Sequence, residues 1–257
     1  MKRADKPARP STSGVLVVDK PAGITSFGVV AEVRRKARGA KTGHAGTLDP
    51  LASGVLVLAL GRATRIAGSL LATEKAYLTT IDLSAFTATD DREAPPEPVA
   101  VAQPPDRRDV ERALDAFRGT FEQRPPAFSA VKVEGRRSYQ RARAGQDPAP
   151  AARRVTMHAI DIVRYAWPLV DLSLRCAKGL YVRSLARDLG AALGTGGHCA
   201  SIRRTAVGPF TLDAAVPLDD VPDPLTEEDL IAVEEALALI ASSSQPPPPP
   251  PARSRAD

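Results

Sequence analysis

"GHAGTLDPLASGVLVLALGRATR", residues 43–65, sets a single carboxylate, Asp49, between a glycine-rich turn and a continuous apolar run. Residues 55–60 contain no polar side chain, the pattern of a strand buried on both faces in the middle of a sheet. Pro50 disfavours the helical region for Asp49 and pushes it to an extended conformation. Gly43, Gly46 and Gly54 allow tight turns and close approach of a ligand. A carboxylate on a stiff loop that feeds a core strand is well placed for catalysis. Taken alone, Leu-Asp-Pro is better read as an aspartate that caps a turn.

Outward from this loop, residues 14–18 read as a short buried strand and 19–23 as a turn. Thr25 or Ser26 can cap a helix reaching about residue 38, with Phe27, Val30 and Val33 as its apolar positions and a basic cluster at its end. A short helix is expected over 63–71 and a strand over 75–84, where Tyr77, Thr79, Thr80 and Ile81 favour extended backbone. Five prolines in 94–105 mark a surface connection. Val110, Leu114 and Phe117 define one face of a helix over 109–118. Val131 and Val133 before Glu134-Gly135 suggest a strand and turn, and 144–152 a loop. Strands follow over 155–163 and 169–176, then a helix over 181–193 with Leu185, Leu189 and Leu193 aligned, then a strand over 201–210. Thr226 and Asp229 form a loose capping box for an acidic helix over 226–241. Residues 1–13 read as a disordered leader without the apolar core of a signal peptide, and 242–257, with six consecutive prolines, as a disordered tail.

The net charge of +5 is unevenly distributed. Residues 132–154 carry seven basic groups (among them Lys132, Arg136, Arg141 and Arg153) against two acidic ones, whereas 213–240 carry nine acidic groups and no basic one. The basic segment is the footprint expected of a phosphate-backbone binder, or of a solvated arginine-rich surface. Two cysteines, Cys176 and Cys199, without a C-x-x-C pairing suit a reducing compartment and small buried side chains. No apolar run has the length of a bilayer span. Phosphate-loop and dinucleotide-binding glycine patterns are absent, and His44, His158 and His198 show no metal-ligand spacing with each other or with the cysteines.

Together the stretches 14–26, 43–65, 75–77, 117–145, 177–190 (AKGLYVRSLARDLG) and 196–210 (GGHCASIRRTAVGPF) resemble the TruB-type tRNA pseudouridine synthases, over roughly residues 14–212. The resemblance implies an α+β fold: a mixed, largely antiparallel central sheet flanked by helices, with an RNA-binding insertion at about 120–152. It divides the chain into a catalytic domain at 14–212, an acidic segment at 213–241 and the tail. It implies isomerisation of uridine in the T-loop of tRNA (position 55), without cofactor or metal, by a cytoplasmic and monomeric enzyme that contacts the T-arm and no membrane. By position, Asp49 matches the essential aspartate, Tyr77 the tyrosine packed on the target base, and Arg183 the arginine paired with the aspartate. His44 matches a histidine that helps displace the nucleotide. Lys20 matches the family's Lys-Pro near the first strand and Tyr181 lies two residues before Arg183; both are expected to bind substrate. Ile202 falls where the family usually has a leucine lining the uracil pocket. Lys132, Arg136 and Arg141 fall in the RNA-binding insertion. The small C-terminal RNA-binding domain of many members is not recognisable after Phe210.

The implied chemistry breaks N1–C1′, turns the uracil over and joins C5 to C1′. No atom is gained and no electron moves. A carboxylate can act as nucleophile or stabilise a cationic C1′. It must stay ionised in a largely apolar pocket, which gives a physical reason for a guanidinium partner. The target must leave the base stack and then needs an aromatic face. Attack at C1′, attack on the base and removal of a sugar proton all fit the residues. Two other readings use the same residues: a non-catalytic protein that opens tRNA in the same cleft, and a sugar hydrolase, for which a second carboxylate is not evident.

Overall fold

The computed structural model describes residues 12–129, 132–133, 136–137 and 150–243. Its frame is a ten-stranded sheet. The main strands are β1 (Gly14–Lys20), β3 (Ser53–Leu60), β4 (Lys75–Asp82), β7 (Gly119–Gln123), β10 (Arg153–Ala166), β11 (Leu169–Cys176), β12 (His198–Val207) and β14 (Val216–Pro217), in the spatial order β14-β1-β3-β12-β4-β11-β10-β7. The β14–β1 and β3–β12 pairs are parallel and the other neighbours on this path antiparallel, so the sheet is mixed and largely antiparallel. Two short strands attach to it: β2 (Thr42–His44) to β3 and β13 (Phe210–Thr211) to β12.

The continuous apolar runs of β1 and β3 have a simple cause. Leu16, Val18, Leu56 and Leu58 point into the main core with α1 (Ser26–Lys36), while Val15, Val17, Val55 and Val57 face a second core with Leu70, Phe210 and Ala236. Strands covered on both faces lose the alternation of polar and apolar residues. Further along, β4, β11 and β10 keep one face open, and Leu78 and Val163 lie exposed on them.

Thr25 caps α1, its Oγ1 accepting from Gly28 N at 2.9 Å. Val30 and Val33 are buried as expected, but Phe27 is 71% exposed: at about 100° per residue it falls outside the stripe that Ser26, Val29, Val30 and Val33 turn to the core. The short helix expected over 63–71 is a 3₁₀ segment, Gly61–Ile66, followed by α2 (Ala67–Ala72). α3 (Arg107–Leu114) carries a capping box between Asp106 and Asp109 and buries Val110 and Leu114. α4 (Val182–Leu193) buries Leu185 and Leu189 and ends at Gly194 in the left-handed region. Part of the proline-rich connection is extended: Pro96–Pro98 (β6) pairs with Ala85–Thr87 (β5).

The insertion leaves the sheet between neighbouring strands, since Gln123 of β7 faces Arg153 of β10. Within it, Lys132–Val133 (β8) pairs with Arg136–Arg137 (β9), and Arg141 lies outside the described residues. The acidic segment packs onto the sheet. Its β14 pairs with β1, Leu218, Val221 and Leu225 are buried in the main core, and Ile231 exchanges backbone hydrogen bonds with Val15 at 2.8 and 2.9 Å. The helix expected from 226 begins only at Val233 (α5, Val233–Ser242), because the backbone at Ile231 is engaged with Val15; Thr226 instead donates to Asp229 within a turn.

Candidate active site

Asp49 opens onto a cavity of about 310 Å³ between the loop that carries it and the start of α4. Every residue flanking Asp49 is held from elsewhere in the fold. Leu48 exchanges two hydrogen bonds with the buried hydroxyl of Ser26, which donates to Leu48 O at 2.9 Å and accepts from Leu48 N at 2.8 Å. Pro50 O accepts from Gly23 N at 2.8 Å and from Lys20 Nζ at 3.4 Å. Gly46 O and Thr47 O accept from Arg204 at 3.0 and 3.5 Å, and Arg204 Nε also donates to Val55 O at 2.8 Å. A carboxylate on a loop so fixed has little freedom to relax away from a reacting atom.

Arg183, on the first turn of α4, closes over Asp49. Its Nε lies 2.8 Å from Asp49 Oδ2, an ion pair without a well-aligned N–H···O bond. Nη1 donates to Thr89 O at 2.8 Å and lies 3.3 Å from Asp91 Oδ2, and Nη2 donates to Phe128 O at 3.0 Å. The Arg183 side chain is 5% exposed and that of Asp91 2%, against 35% for Asp49. The guanidinium is thus anchored on its buried side and offered to Asp49 on its open side. Burial acts to lower its pKa, but the charges of Asp49 and Asp91 outweigh burial and hold it above the ordinary value. Asp91 is fixed in turn by Thr89 Oγ1 at 2.6 Å and Glu93 N at 3.0 Å.

Tyr77 and Ile202 also line the cavity. They come from adjacent strands, with Tyr77 facing Arg204 and Thr79 facing Ile202 across the β4–β12 ladder. Burial raises the Tyr77 phenol's pKa, against the nearby charge of Arg204, so the ring stays neutral and presents an apolar face. Tyr181, the residue before α4, also lines the cavity. Its backbone is clamped by the buried Gln123, which donates to Tyr181 O at 3.1 Å and accepts from Tyr181 N at 2.8 Å.

The structure therefore brings Asp49, Tyr77, Arg183, Tyr181 and Ile202 to one cavity. Lys20, expected to bind substrate, is placed otherwise. It is fully buried, and its ammonium donates to the carbonyls of Pro21, Ile24 and Pro50 at 2.9, 2.7 and 3.4 Å, so it braces the loop from behind. Burial pulls its pKa down to about 8, against the attraction of Asp49. His44 stands on β2, outside the cavity lining, with a buried Nδ1 that has no hydrogen-bond partner. Burial, then Arg204, lowers its pKa, so the ring is neutral at pH 7. Lys132 and Arg136 lie on the β8–β9 hairpin. Among the described residues no group of His, Cys, Asp and Glu could hold a metal ion, and no helix is long and apolar enough to cross a membrane.

Two buried charged residues, Arg204 and Asp91, were not read from the sequence as parts of the site. Arg204 was accessible to strand alternation: Ile202 points inward, so residue 204 shares its face while Arg203 turns out to pair with Asp19 at 2.7 Å. Asp91 lies beyond a turn and reaches Arg183 only through tertiary packing, a relation that no spacing encodes.

The profile of the TruB family pseudouridylate synthase N-terminal domain matches residues 34–182, and that of the tRNA pseudouridylate synthase B C-terminal domain matches residues 183–239. The tRNA pseudouridine synthase B of Corynebacterium efficiens is 47% identical over 230 residues, 88% of this chain and 77% of that protein. The Thermobifida fusca protein of the same name is 46% identical over 233 residues, covering 88% and 78%. Among solved structures, a chain of a Cbf5–Nop10–Gar1 complex superposes with a TM-score of 0.64 at 30% identity, covering 83% of this chain and 54% of that one. A chain of an H/ACA RNP bound to a substrate RNA containing 2′-deoxyuridine gives a TM-score of 0.66 at 25% identity, covering 90% and 62%. The second profile spans the acidic segment that packs on β1, so sequence and packing agree that this segment is part of the family's fold. On these matches, which span most of its length, the chain belongs to the TruB family of pseudouridylate synthases.

Proposed function

We propose that this protein converts uridine to pseudouridine in the T-loop of tRNA, at position 55, with Asp49 as the catalytic group, and that it does so as a monomer contacting the T-arm. The observation that carries the reading is the one carboxylate that lines the cavity among the described residues, held 2.8 Å from a buried guanidinium in a cavity also lined by an aromatic ring and an aliphatic side chain. Such a site suits a flipped pyrimidine. Tyr77 supplies a stacking face, Ile202 adds apolar surface beside it on the same face of the sheet, and Asp49 a fixed carboxylate beside the glycosidic carbon. Arg183 holds that carboxylate in place through a buried guanidinium. Attack at C1′, attack on the base and removal of a sugar proton all begin from this fixed carboxylate. The basic insertion of 132–154 would meet the RNA backbone, the role its charge and its position between β7 and β10 support.

The test is release of tritium from tRNA labelled at C5 of uridine, with U55→C tRNA as the site control. Asp49→Asn should abolish release while tRNA binding persists. Absence of release by the parent would overturn the reading in favour of a protein that only binds or refolds tRNA. Substantial turnover by the Asn variant would overturn the role of Asp49.

A further inference from the structure

Among the described residues, five cations and one carboxylate line the cavity: Lys75, Arg153, Lys178, Arg183 and Arg204 against Asp49. Three of the five are engaged inside the protein. Arg183 holds Asp49 and Asp91, and Arg204 donates to the carbonyls of Gly46, Thr47 and Val55. Lys75 is buried and donates to Leu71 O at 2.7 Å and Thr73 O at 2.6 Å, and burial draws its pKa down to about 8. Arg153 and Lys178 are less fully engaged: Arg153 donates through Nη2 to one carbonyl, and Lys178 reaches solvent. Neither has a carboxylate within ion-pair distance among the described residues, and Lys178 is exposed.

Both line the cavity, and Arg153 is tied to the segment that carries Lys178. Arg153 Nη2 donates at 2.7 Å to the carbonyl of Gly179, the residue after Lys178. The Arg153 guanidinium lies 5.0 Å from the centroid of the Tyr181 ring, and its Nε is buried without a hydrogen-bond partner. Gln123 fixes the backbone of Tyr181 from behind. A stacked, anchored guanidinium has lost its rotational freedom before any ligand arrives, which is how a planar donor fork is prepared for an anion. A nucleotide that enters with its base against Tyr77 and its sugar at Asp49 leaves its phosphates at the mouth, where the unpaired charge stands.

We propose that Arg153 and Lys178 form a clamp for the phosphodiester flanking the target uridine, so that Arg153 belongs to the nucleotide pocket itself and not to the outer RNA surface of the insertion. The inference rests on the functional reading above and is tested apart from it. Dissociation constants are measured for a T-arm RNA hairpin whose linkage on either side of the target uridine is a phosphodiester or an uncharged methylphosphonate. The proteins are the parent, Lys178→Gln, Arg153→Gln, the double Gln variant and Arg153→Lys.

For the parent, one of the two neutral linkages should weaken binding about tenfold, the scale of a hydrogen bond to a charged group. The double variant should bind the unmodified hairpin about tenfold or more weakly, lose nothing further on the neutral linkage, and lose roughly one to two units of salt slope. Arg153→Lys should keep the salt slope. If linkage and variant penalties multiply as independent effects, the clamp is wrong. It is equally wrong if exposed Lys178→Gln, which leaves the core intact, shows the parent's full linkage penalty and salt slope. Pseudouridine formation by the parent on the unmodified hairpin checks the functional reading separately; its absence would sink that reading while the binding cycle still reported on the phosphate contact.

Discussion

Replacing Arg183 by lysine keeps the charge and removes the geometry. The guanidinium reaches four acceptors: Asp49 Oδ2 at 2.8 Å, Thr89 O at 2.8 Å, Phe128 O at 3.0 Å and Asp91 Oδ2 at 3.3 Å. A single ammonium on a shorter, non-planar head cannot span them, and at least two contacts are lost. Charge-assisted hydrogen bonds are worth about 1.5–3 kcal/mol each, so two of them amount to roughly 3–6 kcal/mol. That loss divides between two readouts. The contacts to Thr89 and Phe128 hold the α4 end of the site and affect stability, whereas the contact to Asp49 orients the reacting carboxylate and affects the barrier. We expect single-turnover pseudouridine formation to fall on the order of 100- to 1000-fold, about 3–4 kcal/mol of barrier. Affinity for tRNA should stay within about threefold, since Arg183 is almost fully buried and offers little to the RNA backbone. Asp91→Asn, which never touches Asp49, should lower turnover by a smaller factor, about 10- to 100-fold, by loosening the anchor of the same guanidinium. The assay is tritium release under single-turnover conditions, with filter binding and thermal melts on the same preparations. Parent-like turnover of the Lys variant, or affinity falling as far as turnover, would refute the orienting role.

Gly54→Ala should be severely destabilising: φ is +102° and the new Cβ would lie 2.1 Å from Arg204 O, a backbone atom of β12 that cannot yield. We expect a loss of about 2–6 kcal/mol in urea unfolding, and a parent-like midpoint would refute it. A chain ending at residue 212 would lose β14 and the buried Leu218, Val221 and Leu225, roughly 5–9 kcal/mol of apolar burial, and should not unfold cooperatively by calorimetry; a sharp transition near that of the parent would show the acidic segment to be dispensable. Lys20 gives a pH signature. Its folded pKa, about 8, is below the 10.5 of the unfolded chain, so between these values the unfolded state binds more protons and this group's contribution to stability rises with pH. The stability difference between parent and Lys20→Met should therefore shift in favour of the parent from pH 7.5 to 10, and a pH-independent difference would place the Lys20 pKa near its unfolded value.

Particular residues show where the sequence sufficed. The unbroken apolar runs of 14–18 and 55–60 announced strands covered on both faces, because burial on both sides leaves no position where a polar group can be hydrated. Asp49, Tyr77 and Arg183 were legible from motif resemblance, and local chemistry explains the first: Pro50 and the surrounding glycines shape the Asp49 loop whatever the rest of the chain does. Phe27 misled, since a helical period gives the spacing of an apolar stripe and leaves its phase to the neighbours that cover it. Lys20 misled in another way. The family resemblance suggested a ligand contact, but three carbonyls 1, 4 and 30 residues away enclose its ammonium, and the most distant of them is brought to it by the fold.

Tertiary structure alone decided how the carboxylate is held. Ser26, Arg204 and Arg183 come from α1, β12 and α4, at sequence separations of 22, 158 and 94 residues from the backbone atoms they grip at Leu48, Gly46 and Thr89. It also decided that the acidic stretch after residue 212 completes the sheet, where net charge suggested a segment set apart. Local propensity and pattern specify strands, helices and turns because those depend on neighbours in the chain. Which buried charge faces which carbonyl depends on long-range packing, where satisfying each desolvated polar group is a condition on the whole fold and leaves no periodic trace in the sequence.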